Sequence, residues 1–299
     1  MKVRVRVPAT SANLGPGFDA LGLALSLYNE LTIVEADRVT VTIEGEGRGA
    51  LAPDGDNVVA RAARMVFAQA GRPFRGVAIE CVNRIPLSRG LGSSAAAWLG
   101  GLLGADALLG RPLDRPAILS LAARAEGHPD NVAAALYGGI TVSCETDTGI
   151  IAVPLPVPPD IRWVALIPEV TSATAEARAV LPATVSRADA VFNVQRVALL
   201  LGSLQAKRPD LLHVAMNDRL HQPYRAKLFP WMAAVSEAAR EAGALGCVLS
   251  GAGPSLLAAV GEAPDTVAQA MTGALAAAGI TGVARPLDVD TTGAVAEVC

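Results

Sequence analysis

Apolar and polar positions alternate strictly through Lys2-Val3-Arg4-Val5-Arg6-Val7, a period of two that predicts a strand with one buried face. Val39-Thr40-Val41-Thr42-Ile43 and Val77-Ala78-Ile79-Glu80-Cys81-Val82 repeat that signal. Between the last two, the alanine-rich stretch from Asn57 to Ala70, with Arg61 and Arg64, reads as a helix. From Ser93 to Leu109 the chain is apolar on nearly every side and follows a glycine-rich loop directly, which predicts a buried helix. Pro116 to Glu126 predicts a third helix with proline in its first turn. The cluster Pro154-Leu155-Pro156-Val157-Pro158-Pro159 continues neither a helix nor a central strand, so the domain boundary is placed there, giving segments 1–156 and 157–299. Beyond it, Trp163 to Ile167 predicts a short buried strand, and helices are expected near 187–206, 209–216 and 230–242. The strand Cys247-Val248-Leu249, a glycine turn, the strand Ser255 to Val260 and the helix Asp265 to Ala278 complete the pattern. Strands alternating with helices in both halves predict an α+β or α/β sandwich.

Composition narrows the class. With 299 residues, 52% hydrophobic and 18% charged, the chain can bury a large core, and global disorder is excluded. A net charge of -3 and no basic block argue against nucleic acid as a partner, so an anionic ligand has to be held by local geometry. Four cysteines, Cys81, Cys144, Cys247 and Cys299, form no CxxC pair, and three histidines make a structural zinc site a poor fit; reduced thiols are expected. The opening MKVRVRVPAT lacks an apolar signal-peptide core, and the longest uncharged stretch, 266–284, is broken by Gln269, Gly273, Gly279 and Gly282. A soluble cytoplasmic protein without a membrane partner is the expectation.

Three clusters carry candidate chemistry. In Pro86-Leu87-Ser88-Arg89-Gly90-Leu91-Gly92-Ser93-Ser94-Ala95-Ala96 a strand ends, two glycines permit unusual backbone angles, and two serines open the buried helix. That order aims backbone N–H groups and a positive helix end at one point, an anion site, where a serine hydroxyl can also reach a phosphate-bound magnesium ion. The spacing is neither the phosphate loop with a lysine after its glycines nor G-x-G-x-x-G. Pro8 to Asp19 follows the first predicted strand with small residues plus Asn13 and Asp19, and Leu249 to Ser255, with Gly251 and Gly253, offers a further set of backbone donors between two strands.

In this order and spacing, the three clusters resemble the motifs of the GHMP kinase superfamily, over about residues 3 to 290; the middle one fits P-x-x-x-G-L-G-S-S-A-A without mismatch. Four strings resemble the homoserine kinases within it: Pro8 to Asp19, Glu126-Gly127-His128-Pro129-Asp130-Asn131-Val132, Thr174-Ala175-Glu176-Ala177-Arg178 and His221-Gln222-Pro223-Tyr224-Arg225. The resemblance implies an α+β fold, with an N-terminal ribosomal protein S5 domain 2-like part and a C-terminal ferredoxin-like part. It also implies ATP over the glycine-rich loop, magnesium at Glu126 with Ser93 or Ser94, and transfer of phosphate to the L-homoserine hydroxyl, in threonine biosynthesis. A homodimer is implied on the same ground. The residue types suit an amino-acid substrate: Arg178 and Arg225 offer guanidinium forks to a carboxylate, Asp19 an anion to an ammonium, and Asn13 a neutral partner to a hydroxyl. His128 either contacts the carboxylate or caps its turn, and Thr174 is a candidate for the substrate or the γ-phosphate. Mevalonate and galactose kinases use an aspartate base where Asn131 stands here; Asp130 is adjacent but is expected to point elsewhere, so no side-chain base is assigned and Asn131 is the candidate orienting group. Two rivals stay open, a kinase for mevalonate or a sugar and a catalytically silent ligand-binding regulator.

Overall fold

The computed structural model describes residues 1–299. In chain order its strands are β1 (Lys2–Ala12), β2 (Leu21–Glu35), β3 (Thr40–Gly45), β4 (Val77–Asn83), β5 (Ile140–Thr146), β6 (Gly149–Leu155), β7 (Arg162–Pro168), β8 (Ala244–Leu249), β9 (Leu256–Val260), β10 (Gly282–Leu287) and β11 (Val295–Val298). Its helices are α1 (Val58–Gln69), α2 (Ser93–Leu108), α3 (Arg115–Glu126), α4 (Asp130–Tyr137), α5 (Thr174–Ala179), α6 (Arg187–Gln205), α7 (Leu212–Ala215), α8 (Gln222–Arg225), α9 (Met232–Glu241) and α10 (Pro264–Ala277).

Two sheets share the chain. The larger has seven strands, in the order β11-β1-β2-β4-β3, with β5 on the free part of the β2 edge and β6 beyond it. β2 is long enough to serve two neighbours on that edge: Leu21–Leu23 pair with β5 and Glu30–Glu35 with β4. The smaller sheet runs β10-β7-β9-β8, all antiparallel, with α10 connecting β9 to β10; this is the ferredoxin-like order. The alternation along β7 explains why its sequence reads as one apolar run. Trp163, Ala165 and Ile167 join a core of 53 buried residues that spans both sheets, while Val164 and Leu166 join a second core of 15 beneath α9 and α10. No helix is long and apolar enough to cross a membrane, and all four cysteines are unpaired.

α2 lies at the centre of the first layer because its own sequence lets it. A Cβ at Gly100 or Gly104 would stand 2.5 Å and 2.7 Å from side-chain atoms of Leu31 and Ile33, and one at Gly101 would stand 2.3 Å from the Val59 carbonyl of α1. The bare backbone therefore permits both neighbours to close on the helix.

Three expectations are corrected. β1 does not end before Pro8 but runs to Ala12, with a register shift between Pro8 and Ala9 where the proline lacks a ladder donor. Pro154 sits within a strand, β6, which has β5 as its only neighbour and therefore an open edge for a residue without an N–H. The segment 157–299 does not stay together: β11 returns to pair with β1 in the first sheet, at Val3↔Val298 through Arg6↔Val295.

Candidate active site

The glycine-rich loop between β4 and α2 is held from three sides. Leu91 accepts a hydrogen bond from the Thr10 N–H, Ser250 Oγ donates to the Gly90 carbonyl at 2.6 Å, and Ser88 accepts from the Ser172 N–H. Arg89 extends across to the smaller sheet, donating Nε to the Pro168 carbonyl and Nη2 to that of Glu169, both at 2.8 Å, while Nη1 returns to the Leu87 carbonyl. Arg89 is thus a clamp on the loop, and its fork is engaged by carbonyls. Gly90 and Gly92 both have φ of +71°, and neither has room for a side chain: a Cβ would stand 2.2 Å from the Ser250 carbonyl oxygen or 2.0 Å from Thr10 Oγ1.

The result is a row of donors. Gly92, in the left-handed region, is the N-cap of α2 and supplies no side-chain cap. The six N–H groups from Gly90 to Ala95 donate to no acceptor in the protein. They gather at the N-terminus of a 16-residue helix, where partial positive charge adds to the donors. Ser94 Oγ donates to Glu126 Oε2 at 2.7 Å, so the last residue of α3 brings a carboxylate to the first turn of α2.

The row faces a polar cavity of about 130 Å³, and nearly all of the anticipated residues line it. Pro86, Ser88 through Ser94, Glu126, Asn13, Asp19, His128, Asn131, Thr174, Arg178, Arg225 and Gly251 are on its wall. Leu87 and Ala96 instead line a second, largely apolar cavity of about 310 Å³ which shares Ser88, Ser93 and Ser94 with the first. Ala95 is buried in the core, and Gly253 packs against Phe229 and lines neither cavity.

Several expected roles change once partners are visible. The Gly251 N–H donates to the Ala12 carbonyl and that of Gly253 to Ser250, so the third cluster is a scaffold and does not offer those donors to a ligand. Its carbonyl at Gly251 accepts from Asn13 Nδ2 and from Arg225 Nη1. Asn13 also accepts from the Asp19 N–H, so its side chain builds the loop at both ends. Asp19 is held bidentately by Arg178, at 2.7 and 3.1 Å, and this pairing raises the Arg178 pKa. Asn131 Oδ1 accepts from Thr10 Oγ1 at 2.8 Å, leaving its Nδ2 hydrogens for the cavity.

Arg225 is 2% exposed, and burial, with Arg178 nearby, pulls its pKa down to about 10. Its Nε donates to the Ala177 carbonyl and Nη1 to Gly251 and His221 Nδ1, while Nη2 has no protein partner. His221 is wholly buried, stacks on Phe18 at 5.2 Å and donates Nε2 to the Gly15 carbonyl at 2.8 Å. Burial lowers its pKa, and both its partners require the neutral ring with the proton on Nε2. His128 Nδ1 bonds Asp130 Oδ1 at 2.7 Å; burial opposes its charge, but that hydrogen bond and the charges of Asp130 and Glu126 outweigh it and raise its pKa.

Asp130 was expected to point away from Asn131, yet both line the cavity, because the first turn of α4 presents its first two residues to the same side. Sequence reasoning also missed Thr10, Ser172 and the apolar cavity. Thr10 lies in the small-residue cluster expected after the first strand, and its task appears only when β1 meets α4.

Residues 57–139 match the family described as GHMP kinases N terminal domain, and residues 200–277 match GHMP kinases C terminal. A homoserine kinase of Moorella thermoacetica is 47% identical over 97% of this chain and 98% of its own, and one of Desulfitobacterium hafniense is 44% identical over 98% and 99%. Among solved structures, a homoserine kinase from Cytophaga hutchinsonii superposes with a TM-score of 0.90 at 32% identity, covering 99% of this chain and 97% of that one.

Proposed function

The chain belongs to the homoserine kinases of the GHMP family, and from that premise we propose how its residues divide the work of moving phosphate from ATP to the L-homoserine hydroxyl. The observation that carries the assignment is the row of six unpartnered N–H groups from Gly90 to Ala95, facing a cavity whose far wall holds the cation of Arg225.

The phosphate chain lies on the N–H row. Each donor there is already oriented, so charge on the phosphate oxygens meets dipoles that need no rearrangement. The larger apolar cavity, which opens on the same Ser88, Ser93 and Ser94, takes the nucleoside. Ser94 and Glu126, a hydroxyl and a carboxylate in contact beside the donor row, are a hard-oxygen pair that fits magnesium, with Ser93 adjacent. A magnesium ion held by these groups would supply positive charge against the negative phosphate chain.

At the acceptor end, Arg225 offers Nη2 to the substrate carboxylate, backed by Arg178, and Thr174 stands on the same wall. Asn131 directs Nδ2 at the hydroxyl oxygen and, with Oδ1 held by Thr10, cannot take up the proton. It therefore positions the nucleophile for in-line attack without acting as a base. Phosphoryl transfer relies mainly on positioning and charge stabilisation, so the γ-phosphate oxygens can receive the proton. The resemblance adds two further proposals, a homodimer and a cytoplasmic location.

The test is ADP release with ATP and magnesium against L-homoserine, mevalonate, galactose and no acceptor. Release that depends on L-homoserine is expected. Release with mevalonate or galactose alone overturns the roles of Arg225 and Arg178, and ATP binding without any turnover overturns the kinase assignment.

A further inference from the structure

The loop between β1 and β2 carries left-handed backbone at residues that do not favour it. Asn13, Leu14 and Asp19 have φ of 71°, 47° and 56°. A turn of this kind keeps its shape only where its surroundings impose it. Asn13 Oδ1 takes the Asp19 N–H and closes the turn from within, but the crest, Gly15 and Pro16, is held from outside by two side-chain donors. His221 donates Nε2 to the Gly15 carbonyl at 2.8 Å, and Asn193 of α6 donates Nδ2 to the Pro16 carbonyl at 3.1 Å.

Both donors lead back to one carboxylate. Asp218 lies just before α8; its side chain is wholly buried, and it does not line the acceptor cavity. Its Oδ1 accepts from Asn193 Nδ2 at 2.8 Å and from the Leu220 N–H, while Oδ2 accepts from the N–H groups of His221 and Gln222 at 3.0 and 2.7 Å. Four donors shared by two oxygens is the pattern of an ionised carboxylate. The basic side chain within 4 Å of it is His221, whose own hydrogen bonds require the neutral ring. A buried anion held by neutral donors is costly, so its place in the fold calls for a reason. One is its neighbour: the charge of Asp218 favours the cationic form of the buried Arg225.

We propose that Asp218 is a positioning residue for the reaction, fixing the Gly15–Asp19 turn and Arg225 as a single wall through Asn193 and His221. This rests on the homoserine reading above. The wall is continuous in space. Phe18 stacks on His221 with the rings at 20°, and its face lies 5.6 Å and 5.3 Å from the guanidinium carbons of Arg178 and Arg225. Asp19, next in the chain, holds Arg178, and His221 Nδ1 accepts from Arg225 Nη1 at 3.1 Å. A carboxylate that sets Asn193 and His221 therefore sets the place of both arginines without bonding to either.

The test is a double-mutant cycle read in the ADP-release assay. In Asp218→Asn one oxygen becomes an NH2 group, so whichever way the amide turns, two N–H donors lose their acceptor. The homoserine KM should rise about 10-fold to 10²-fold, the scale of a misplacement of about 1 Å. By contrast, kcat should fall no more than about fivefold, in keeping with an effect on binding. The ATP dissociation constant, from calorimetry, should stay within about twofold, because Thr10, Ser172 and Ser250, which support the N–H row, make no bond to Asp218. In an Arg225→Lys background the same substitution should raise KM by no more than about threefold further, since the group it positions is already gone. Asn193→Ala leaves the other three donors on the carboxylate and should raise KM about threefold to 10-fold. It serves as the second variant should the Asp218→Asn protein not fold. A lower Tm with an unchanged KM, in either variant, means a role in stability alone and overturns the proposal. So do KM effects that multiply in the double variant, or a loss shared equally by homoserine and ATP binding. If the wild-type protein fails to phosphorylate homoserine at all, it is the functional reading that fails, and the inference falls with it.

Discussion

Gly92→Ala tests whether the donor row and the acceptor site are built as one unit. The new Cβ would stand 2.0 Å from Thr10 Oγ1 and 3.2 Å from Asn131 Oδ1, and the residue would have to keep φ near +71°. Holding alanine in the left-handed region costs about 1–2 kcal/mol. Moving Thr10 aside breaks its 2.8 Å bond to Asn131, which adds about 1 kcal/mol. A loss of about 2–3 kcal/mol is expected, seen as a fall in Tm of about 4–10 °C by calorimetry. Because Asn131 loses the partner that fixes its amide, kcat should fall about 10-fold or more in the ADP-release assay. The second substitution Thr10→Ala, made in the same chain, removes the clashing oxygen. It should recover much of the Tm but not kcat, because Asn131 is still unheld. If Gly92→Ala alone leaves both Tm and kcat unchanged, the coupling of loop and acceptor site through Thr10 is refuted. Recovery of kcat by the double variant would refute the role given to the Thr10–Asn131 bond.

Arg225→Lys keeps a charge but not the fork, so the Ala177 and Gly251 carbonyls and His221 Nδ1 lose donors; the homoserine KM should rise at least 10²-fold with a smaller change in kcat, measured by steady-state kinetics. Glu126→Gln removes the carboxylate beside Ser94, and the magnesium concentration for half-maximal turnover should rise at least 10-fold while homoserine binding, followed by calorimetry, is unchanged. His221 has its pKa lowered by burial, so the unfolded chain binds a proton more readily than the folded one below about pH 6.5, and stability present above that value is lost as the pH falls toward the lower folded value. Urea melts between about pH 5 and 8 should show that loss, and His221→Gln should flatten it. His128 has the opposite sign: its raised pKa contributes stability that is complete below about pH 6.5 and disappears as the pH rises through the folded value.

The features legible along the chain are those written in local spacing. The period-two run at Lys2–Val7, the all-round apolar stretch that became α2 and the proline at the start of α3 each impose their element within a few residues, and the structure has them there. The glycine-rich loop was legible for the same reason, because positive φ at Gly90 and Gly92 and the free donors of a helix N-terminus are local properties. Partnership between distant residues was set by the packed fold. Asn13 and Gly251 look like ligand groups in sequence, but their atoms are engaged with each other across more than two hundred residues, and Asp19 is paired with Arg178. Asp130 looks like a neighbour facing away, yet it presents an unpartnered oxygen because β1, α4 and His128 meet around it. β2 was unreadable because its first five residues are buried on both faces and show no alternation, and β11 because its place depends on an edge of β1 that is vacant until the fold closes. Hydrogen-bond donors and acceptors of the same kind are interchangeable along a chain. Which two are joined is settled by the packing of the whole core, and that choice separates residues that build the site from those left free to act in it.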